Sequence, residues 1–196
     1  MKALASPWVA ILALTVLAFV LRLAAMGQSL FGDELLTYDI VARHGPIDVL
    51  HALNRAPEST PPLHYLLAWA TSKIGDPTVG VRIPSLLAGT ATVPVVYGLG
   101  RRLRGRATGL VAAAAVALAP FAVFYSTEAR AYGLVAFLVA SSTLALLNAL
   151  DDGRRLSWVL FWAPTTLAFT PITQLCSPWP FSSLGRCGAR HTARPS

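Results

Sequence analysis

Apolar residues along this chain gather into long runs that short polar stretches separate. Four of the runs have the length of a membrane span, and they occupy residues 7–26, 83–100, 107–125 and 131–150. At a rise of 1.5 Å per residue, about 20 apolar residues cross a hydrocarbon core. The pattern therefore predicts an all-α fold, a polytopic transmembrane helical bundle of about four to five spans. Arg22, near the end of the first run, is expected to extend its charged group to the membrane interface.

The segment between the first two runs, residues 27–80, is too polar to span. Its apolar residues recur at roughly helical spacing, namely Leu35, Leu36, Ile40, Val41, Val49, Leu50 and Leu53. Because Gly45 and Pro46 interrupt this pattern, we expect short amphipathic helices on the membrane surface. Pro62 suits the first turn of a further helix. The apolar run that follows, residues 63–74, is too short to span and is expected to be re-entrant, interfacial or buried.

Composition and charge agree with a membrane protein and exclude other classes. Hydrophobic residues make up 55% of the sequence and charged residues 13%, with a mean hydropathy of +0.57, whereas a soluble domain has about 25% charged residues. The net charge of +7 comes from basic residues in short loops and the tail, without a basic and aromatic face, so no nucleic-acid partner is expected. Cys176 and Cys187 lack the spacing of metal ligands and predict neither a zinc site nor a disulfide framework.

The basic residues indicate the orientation in the membrane. Arginines crowd the link between the second and third runs, at positions 101, 102, 104 and 106, and two more follow the fourth run at 154 and 155. By the positive-inside rule both links are cytoplasmic, which places the N-terminus in the cytoplasm and residues 27–80 and 126–130 outside. We therefore expect a multi-pass protein of the cell membrane. A cleaved signal peptide is the alternative for the first run, but the run is long for a signal and Arg22 stands where small neutral residues precede a cut.

Two adjacent carboxylates, Asp33 and Glu34, follow the outer end of the first run. A carboxylate costs about 2.5–3.5 kcal/mol at the bilayer centre but can lie at the interface, where a lipid headgroup also lies. These residues are candidates for chemistry on a substrate that the membrane delivers. The outer link carries Glu128 and Arg130, and the planar guanidinium suits phosphate oxygens. The alternative for this link is an ordinary interfacial loop with a local Glu–Arg pair.

Two further residues on the outer side have both a functional and a structural interpretation. Arg82, at the start of the second run, either joins the binding of an anionic headgroup or anchors its helix at the interface. His64 either faces the same site or serves a structural role, because one imidazole without paired ligands specifies no chemistry.

Five motifs in this order carry a resemblance to a known family. They are Phe31-Gly32-Asp33-Glu34, Thr60-Pro61-Pro62-Leu63-His64-Tyr65, Val81-Arg82-Ile83-Pro84-Ser85, Arg101-Arg102-Leu103-Arg104-Gly105-Arg106 and Tyr125-Ser126-Thr127-Glu128-Ala129-Arg130-Ala131-Tyr132. Over residues 30–150 the chain resembles the N-terminal part of the polytopic GT-C glycosyltransferases. The most similar group is the bacterial family 39-like branch, related to protein O-mannosyltransferases and lipid A aminoarabinose transferases.

The resemblance implies transfer of a sugar, mannose-like or other, from a polyprenyl-phosphate-linked donor to an extracytoplasmic acceptor. Asp33 matches the catalytic carboxylate of the family. Substrate binding is assigned to residues of the same motifs, namely Glu34, Glu128, Arg130, Tyr132, His64 and Arg82. No metal-ligand cluster is legible, so assistance by a divalent metal stays open, and membrane lipids are the other expected partners. The alternative from another class is a small non-catalytic membrane protein that binds lipid headgroups or a membrane partner.

We interpret residues 1–155 as a GT-C-like transmembrane module. Residues 156–196 are interpreted as a partial fifth span and an atypical tail, because Pro164 and Pro171 interrupt the apolar run 158–172. The tail has neither membrane periodicity nor a core pattern. We therefore expect a frameshifted or truncated product, inactive as it stands, in which the family reading frame ends between residues 162 and 173.

Overall fold

The computed structural model describes residues 7–55 and 61–169. These residues form helices joined by short connections, and no strand occurs among them. The helices are α1 (Pro7–Ala25), α2 (Asp33–Arg43), α3 (Pro46–Arg55), α4 (Pro62–Ser72), α5 (Pro77–Gly80), α6 (Ile83–Arg104), α7 (Arg106–Leu118), α8 (Pro120–Thr127), α9 (Tyr132–Asp152) and α10 (Arg155–Phe169). The predicted all-α fold is confirmed.

The long apolar helices coincide with the four predicted spans. By length and composition α1, α9 and the unit formed by α5 and α6 are able to cross a membrane. The pair α7 and α8 passes the same test only as one span, bent by 56° at its break. The described residues therefore contain three spans, or four when the bent pair is counted as one, and the prediction of a polytopic helical bundle is confirmed.

Arg22 does not extend its charged group to the membrane interface, so that expectation was wrong. The break between α7 and α8 explains why. Pro120 has no N–H group, so the carbonyl of Val116 has no helical donor four residues ahead. Arg22 is fully buried and fills this gap. Its Nη2 donates to Val116 O at 3.2 Å, and its Nη1 donates to Ala117 O at 3.5 Å and to Ala18 O at 3.1 Å. The side chain turns inward because a neighbouring span offers unpaired carbonyls.

Helix α6 is the centre of the bundle and packs against α1, α7, α8 and α9. It approaches α7 closely at Gly100 and Gly109, where no side chain separates the two backbones. A Cβ added to Gly100 would lie 2.8 Å from the Cα of Gly109, which no real contact allows. The helices are therefore in backbone contact at this point, near the short connection that joins them.

We expect Gly100→Ala to lower the free energy of unfolding by about 1–3 kcal/mol, because the added methyl group forces the α6 and α7 backbones apart. The matched control is Gly98→Ala on the same helix, whose Cβ would meet only the flexible Leu144 side chain at 3.2 Å. Thermal unfolding in detergent micelles measures both variants. Equal losses in the two variants would contradict the backbone contact.

Helices α2 to α5 have a small core of their own. Fully buried side chains from these helices and the following turn meet in it, namely Val41, Val49, Leu53, Tyr65, Ala68 and Val81. The predicted short helices of this segment are confirmed, and Pro62 stands in the first turn of α4 as expected. Helix α4 buries one face against α2, α3, α5 and α6, while Leu67 and Ile74 are exposed. The placement of residues 63–74 relative to the membrane stays a prediction.

Helix α10 packs along α9 and runs through Pro164 without ending there. The interruption expected at Pro164 is therefore absent from this helix. The expectations for Pro171 and for a frameshifted tail concern residues outside the described ranges.

Candidate functional site

Four segments meet at the end of the bundle where α6 begins. They are residues 26–34, 61–65, 81–85 and 126–132. Gly32 adopts a φ of 55°, a left-handed conformation that glycine accepts easily, and the chain turns there into α2. Successive residues on a helix point about 100° apart. Asp33 and Glu34 therefore face different surroundings, with Glu34 buried and the Asp33 side chain 75% exposed.

Glu34 and Arg82 form a buried ion pair at the base of this region. Arg82 Nε donates to Glu34 Oε1 at 2.8 Å, and Nη2 donates to Oε2 at 2.5 Å, a bidentate arrangement. The two side chains are only 6% and 7% exposed. Glu34 Oε1 also accepts the backbone N–H of Ala129 at 2.7 Å. The carboxylate thus connects α2, the start of α6 and the link before α9.

Arg82 also closes the connection between α1 and α2. Its guanidinium donates to the carbonyls of Met26 at 3.1 Å, Gln28 at 2.6 Å and Ser29 at 3.2 Å. Burial alone would raise the pKa of Glu34, but hydrogen bonds from Arg82 and Ala129, together with the charge of Arg82, hold that pKa below its ordinary value. Glu34 is therefore ionised at neutral pH. We name Glu34, Arg82 and their backbone partners the clasp.

A second ion pair of the site joins the exposed Asp33 to the mostly buried Arg130. Arg130 Nη2 lies 3.3 Å from Asp33 Oδ2, and the Arg130 side chain is 13% exposed. The hydroxyl of Ser85 donates to the carbonyl of Arg130 at 2.6 Å, which fixes this turn to α6. The sequence suggested a local pair between Glu128 and Arg130, whereas the structure pairs Arg130 with Asp33 across two segments. Ser85 belongs to the motif Val81-Arg82-Ile83-Pro84-Ser85, but a serine at this position gave no reason to predict it as a site residue.

Glu128 lies beside the same groups and is partly buried. Burial and the charges of Glu34 and Asp33 raise its pKa, while Arg130 opposes the shift. The structure thus places the carboxyl groups of Asp33 and Glu128, which differ in environment, near the guanidinium of Arg130. Asp33 is open to solvent, and Glu128 holds its proton to a higher pH than an ordinary glutamate.

Tyr132 lies at the apolar side of the site. Its ring contacts the ring of Tyr125 edge-on, with 4.9 Å between centroids, and it is half-exposed. Beside it a groove of about 640 Å³ runs between α6 and α9. Arg130 and Pro61 stand at one end of this groove, and the rest of its wall is mostly apolar, including Val96, Val135 and Val139.

His64 is completely buried beneath the site, on α4. Neither ring nitrogen has a hydrogen-bond partner among the described residues, and the backbone of Ala129 lies near the ring but outside hydrogen-bond geometry. Burial lowers the pKa of His64 to about 4, and the nearby charge of Arg130 acts in the same direction. The imidazole is therefore neutral at pH 7 and has no surface through which to touch a substrate.

The buried histidine predicts a pH dependence of stability. Its pKa is about 4 when folded, against an ordinary 6.5, so below pH 6.5 the unfolded chain binds a proton that the folded chain excludes. Stability is full above pH 6.5 and falls by roughly 3 kcal/mol as the pH drops to 4. We expect His64→Gln to flatten this part of the curve in denaturant unfolding between pH 4 and 7. His51→Gln, at an exposed histidine on α3, should leave it unchanged; an equally steep curve in the His64 variant would refute the assignment.

No group of three or more His, Cys, Asp or Glu side chains suited to hold a metal ion occurs in the part of the chain that the structure describes. Comparison with known families identifies the chain. Residues 59–171 match the family described as dolichyl-phosphate-mannose-protein mannosyltransferase, which is more than half of the 196 residues. The chain belongs to this family. No curated protein and no solved structure matches it significantly.

Membership of this family confirms the resemblance to GT-C glycosyltransferases. Together with the apolar helices, it indicates a multi-pass membrane protein. The matched range contains His64, Arg82, Glu128, Arg130 and Tyr132, together with the groove between α6 and α9. Asp33 and Glu34 precede that range. The clasp and the ion pair with Arg130 join them to residues within it.

Proposed function

We propose that this chain transfers a sugar from a polyprenyl-phosphate-linked donor to an acceptor hydroxyl on the extracytoplasmic face of the cell membrane. The observation that carries the proposal is the position of Asp33. Its exposed carboxylate stands 3.3 Å from Arg130, and Arg130 is at the end of an apolar groove. A lipid-linked donor consists of a hydrocarbon chain, a phosphate and a sugar. The groove suits the hydrocarbon chain, Arg130 suits the phosphate, and Asp33 stands where the sugar would meet the acceptor.

Asp33 is proposed as the catalytic base. It takes the proton of the acceptor hydroxyl while the acceptor oxygen bonds to the anomeric carbon of the sugar. The bond between that carbon and the donor phosphate breaks, and the lipid phosphate leaves with the electron pair. Attack from the side opposite the leaving group inverts the anomeric centre. The charge of Arg130 stabilises the departing phosphate, since its planar guanidinium matches phosphate oxygens.

The groove supports a lipid-linked donor over a soluble one. Its wall between α6 and α9 is apolar, and both helices are long and apolar enough to span. A prenyl chain in this groove would keep the phosphate at the level of Arg130 and Tyr132. The proposed orientation of the chain in the membrane rests on its basic residues. The end of the bundle opposite to Asp33 carries Arg101, Arg104 and Arg106. By the positive-inside rule this is the cytoplasmic end.

The test is a transfer assay in membranes that contain the 196-residue chain. A panel of radiolabelled polyprenyl-phosphate sugars is supplied, and label is followed from the lipid fraction into acceptor material. The atypical tail led to the expectation of an inactive product, whereas the geometry of the site leads us to expect transfer from at least one donor, absent from membranes without the chain. Binding of the labelled donors with no transfer from any of them would overturn the proposal and leave the non-catalytic lipid-binding alternative.

A further inference from the structure

Arg22 is the most deeply buried charge of the spans, with no exposed surface. It stands on α1, away from the clasp, and touches none of Asp33, Glu34 and Arg130 by any hydrogen bond or ion pair between the described residues. Its two terminal nitrogens donate to backbone carbonyls, two of which belong to α7. The charge is therefore held by peptide dipoles, at the C-terminal end of a helix where a cation is favoured.

The two α7 carbonyls that Arg22 binds lie at the break in the third span, where the helical hydrogen bonds are interrupted. The last helical bond of α7 runs from Ala119 N to Ala115 O at 2.9 Å, and α8 starts a new set with Val123 N to Ala119 O at 3.0 Å. Val116 O and Ala117 O fall between the two sets. An unpaired carbonyl is strongly disfavoured in the hydrocarbon region, because no water is present to donate a hydrogen bond to it. Arg22 offsets this cost for both carbonyls at once.

The bend at Pro120 in turn determines where the site residues stand. α8 ends at Thr127, and Glu128, Ala129 and Arg130 follow directly. The end of α8 is pressed onto α6, because a Cβ on Gly89 would collide with the side chain of Ser126 and would also lie 3.3 Å from Arg22 Nε. A change in the angle between α7 and α8 would therefore shift Glu128 and Arg130 relative to Asp33.

We propose that Arg22 is a positioning residue of the transferase: by binding Val116 O and Ala117 O at the break between α7 and α8, it fixes the bend of the third span and holds Glu128 and Arg130 against Asp33. The activity part of this inference rests on the proposed function. The structural part does not, because the bend is measurable without a substrate.

The structural test uses spin labels on Phe124 of α8 and Leu23 of α1, both exposed. In the Arg22→Met variant we expect the bend to be released. Straightening a 56° bend five residues before Phe124, at a rise of 1.5 Å per residue, moves the label on Phe124 by up to about 7 Å. Arg101→Met, which removes an exposed arginine at the cytoplasmic end of α6, should leave the distance unchanged. An unchanged distance in the Arg22 variant would overturn the proposal.

The activity test adds Pro120→Ala, which supplies the N–H group that Val116 O lacks. We expect Arg22→Met to lower both the melting temperature and kcat, the latter by about 100-fold, since small misplacements of catalytic groups have effects of that size. The double variant Arg22→Met with Pro120→Ala should recover the melting temperature but not kcat, because the span is then straight. Recovery of both would show that Arg22 serves folding alone and would refute the positioning role. A wild-type chain without transfer activity would defeat the proposed function, while the label distances would still decide the bend.

Discussion

Asp33→Asn is expected to lower the rate of sugar transfer by about 10²–10⁴-fold, the usual contribution of a general base. The amide keeps the shape of the side chain but takes no proton from the acceptor hydroxyl. The folded state should be nearly unaffected, because the Asp33 side chain is 75% exposed and its pair with Arg130 contributes little in that setting. Initial rates at saturating donor, together with the melting temperature, measure the two effects separately.

Asp39→Asn is the matched control for this result. Asp39 stands on the same helix, α2, and its half-exposed carboxylate pairs with Arg43 instead of Arg130. We expect this variant to transfer sugar at the wild-type rate. Transfer by the Asp33 variant at the wild-type rate would remove Asp33 from the mechanism. Improved retention of the donor lipid by Asp33→Asn, without transfer in any variant, would favour a headgroup-binding protein.

The spans were predictable because their signal is local. A run of apolar residues near the length of a bilayer crossing is visible in the sequence without knowledge of its neighbours, and α1, α6 and α9 follow it closely. The short helices between the first two spans were equally predictable, from the spacing of their apolar residues and from Gly45 and Pro46. The bend at Pro120 is a local feature too, but its 56° angle depends on what the broken carbonyls meet.

The roles of individual charges were less predictable, because they depend on contacts between distant segments. Arg22 binds a carbonyl 94 residues away, so no local pattern distinguishes it from an interfacial arginine. Asp33 and Glu34 are adjacent and similar, and only the turn at Gly32 decides which one faces Arg82. The resemblance placed Asp33, Glu34 and Arg82 at one site, but the division between an exposed Asp33 and a buried clasp became visible only in three dimensions.

The clasp predicts the largest loss of stability in the chain. Arg82→Met leaves the Glu34 carboxylate buried without its cation and removes the donors to Met26, Gln28 and Ser29. Breaking a buried ion pair from one side costs about 3–5 kcal/mol. We expect a loss of this size in denaturant unfolding. Arg102→Met, which breaks a more exposed pair with Asp151, should cost less than about 1 kcal/mol.

A second variant shows whether the loss comes from the stranded charge. Arg82→Met with Glu34→Gln removes the buried anion, so part of the lost stability should return, while the three unpaired carbonyls keep the recovery incomplete. The pH dependence gives an independent check. Since the folded pKa of Glu34 lies below its ordinary 4.5, the clasp stabilises fully above that pH and less as the pH falls through the folded pKa. The double variant should lack this acid-sensitive part but keep the fall between pH 6.5 and 4 that belongs to His64. No recovery in the double variant would mean that the carbonyl contacts, and not the ion pair, hold the site together.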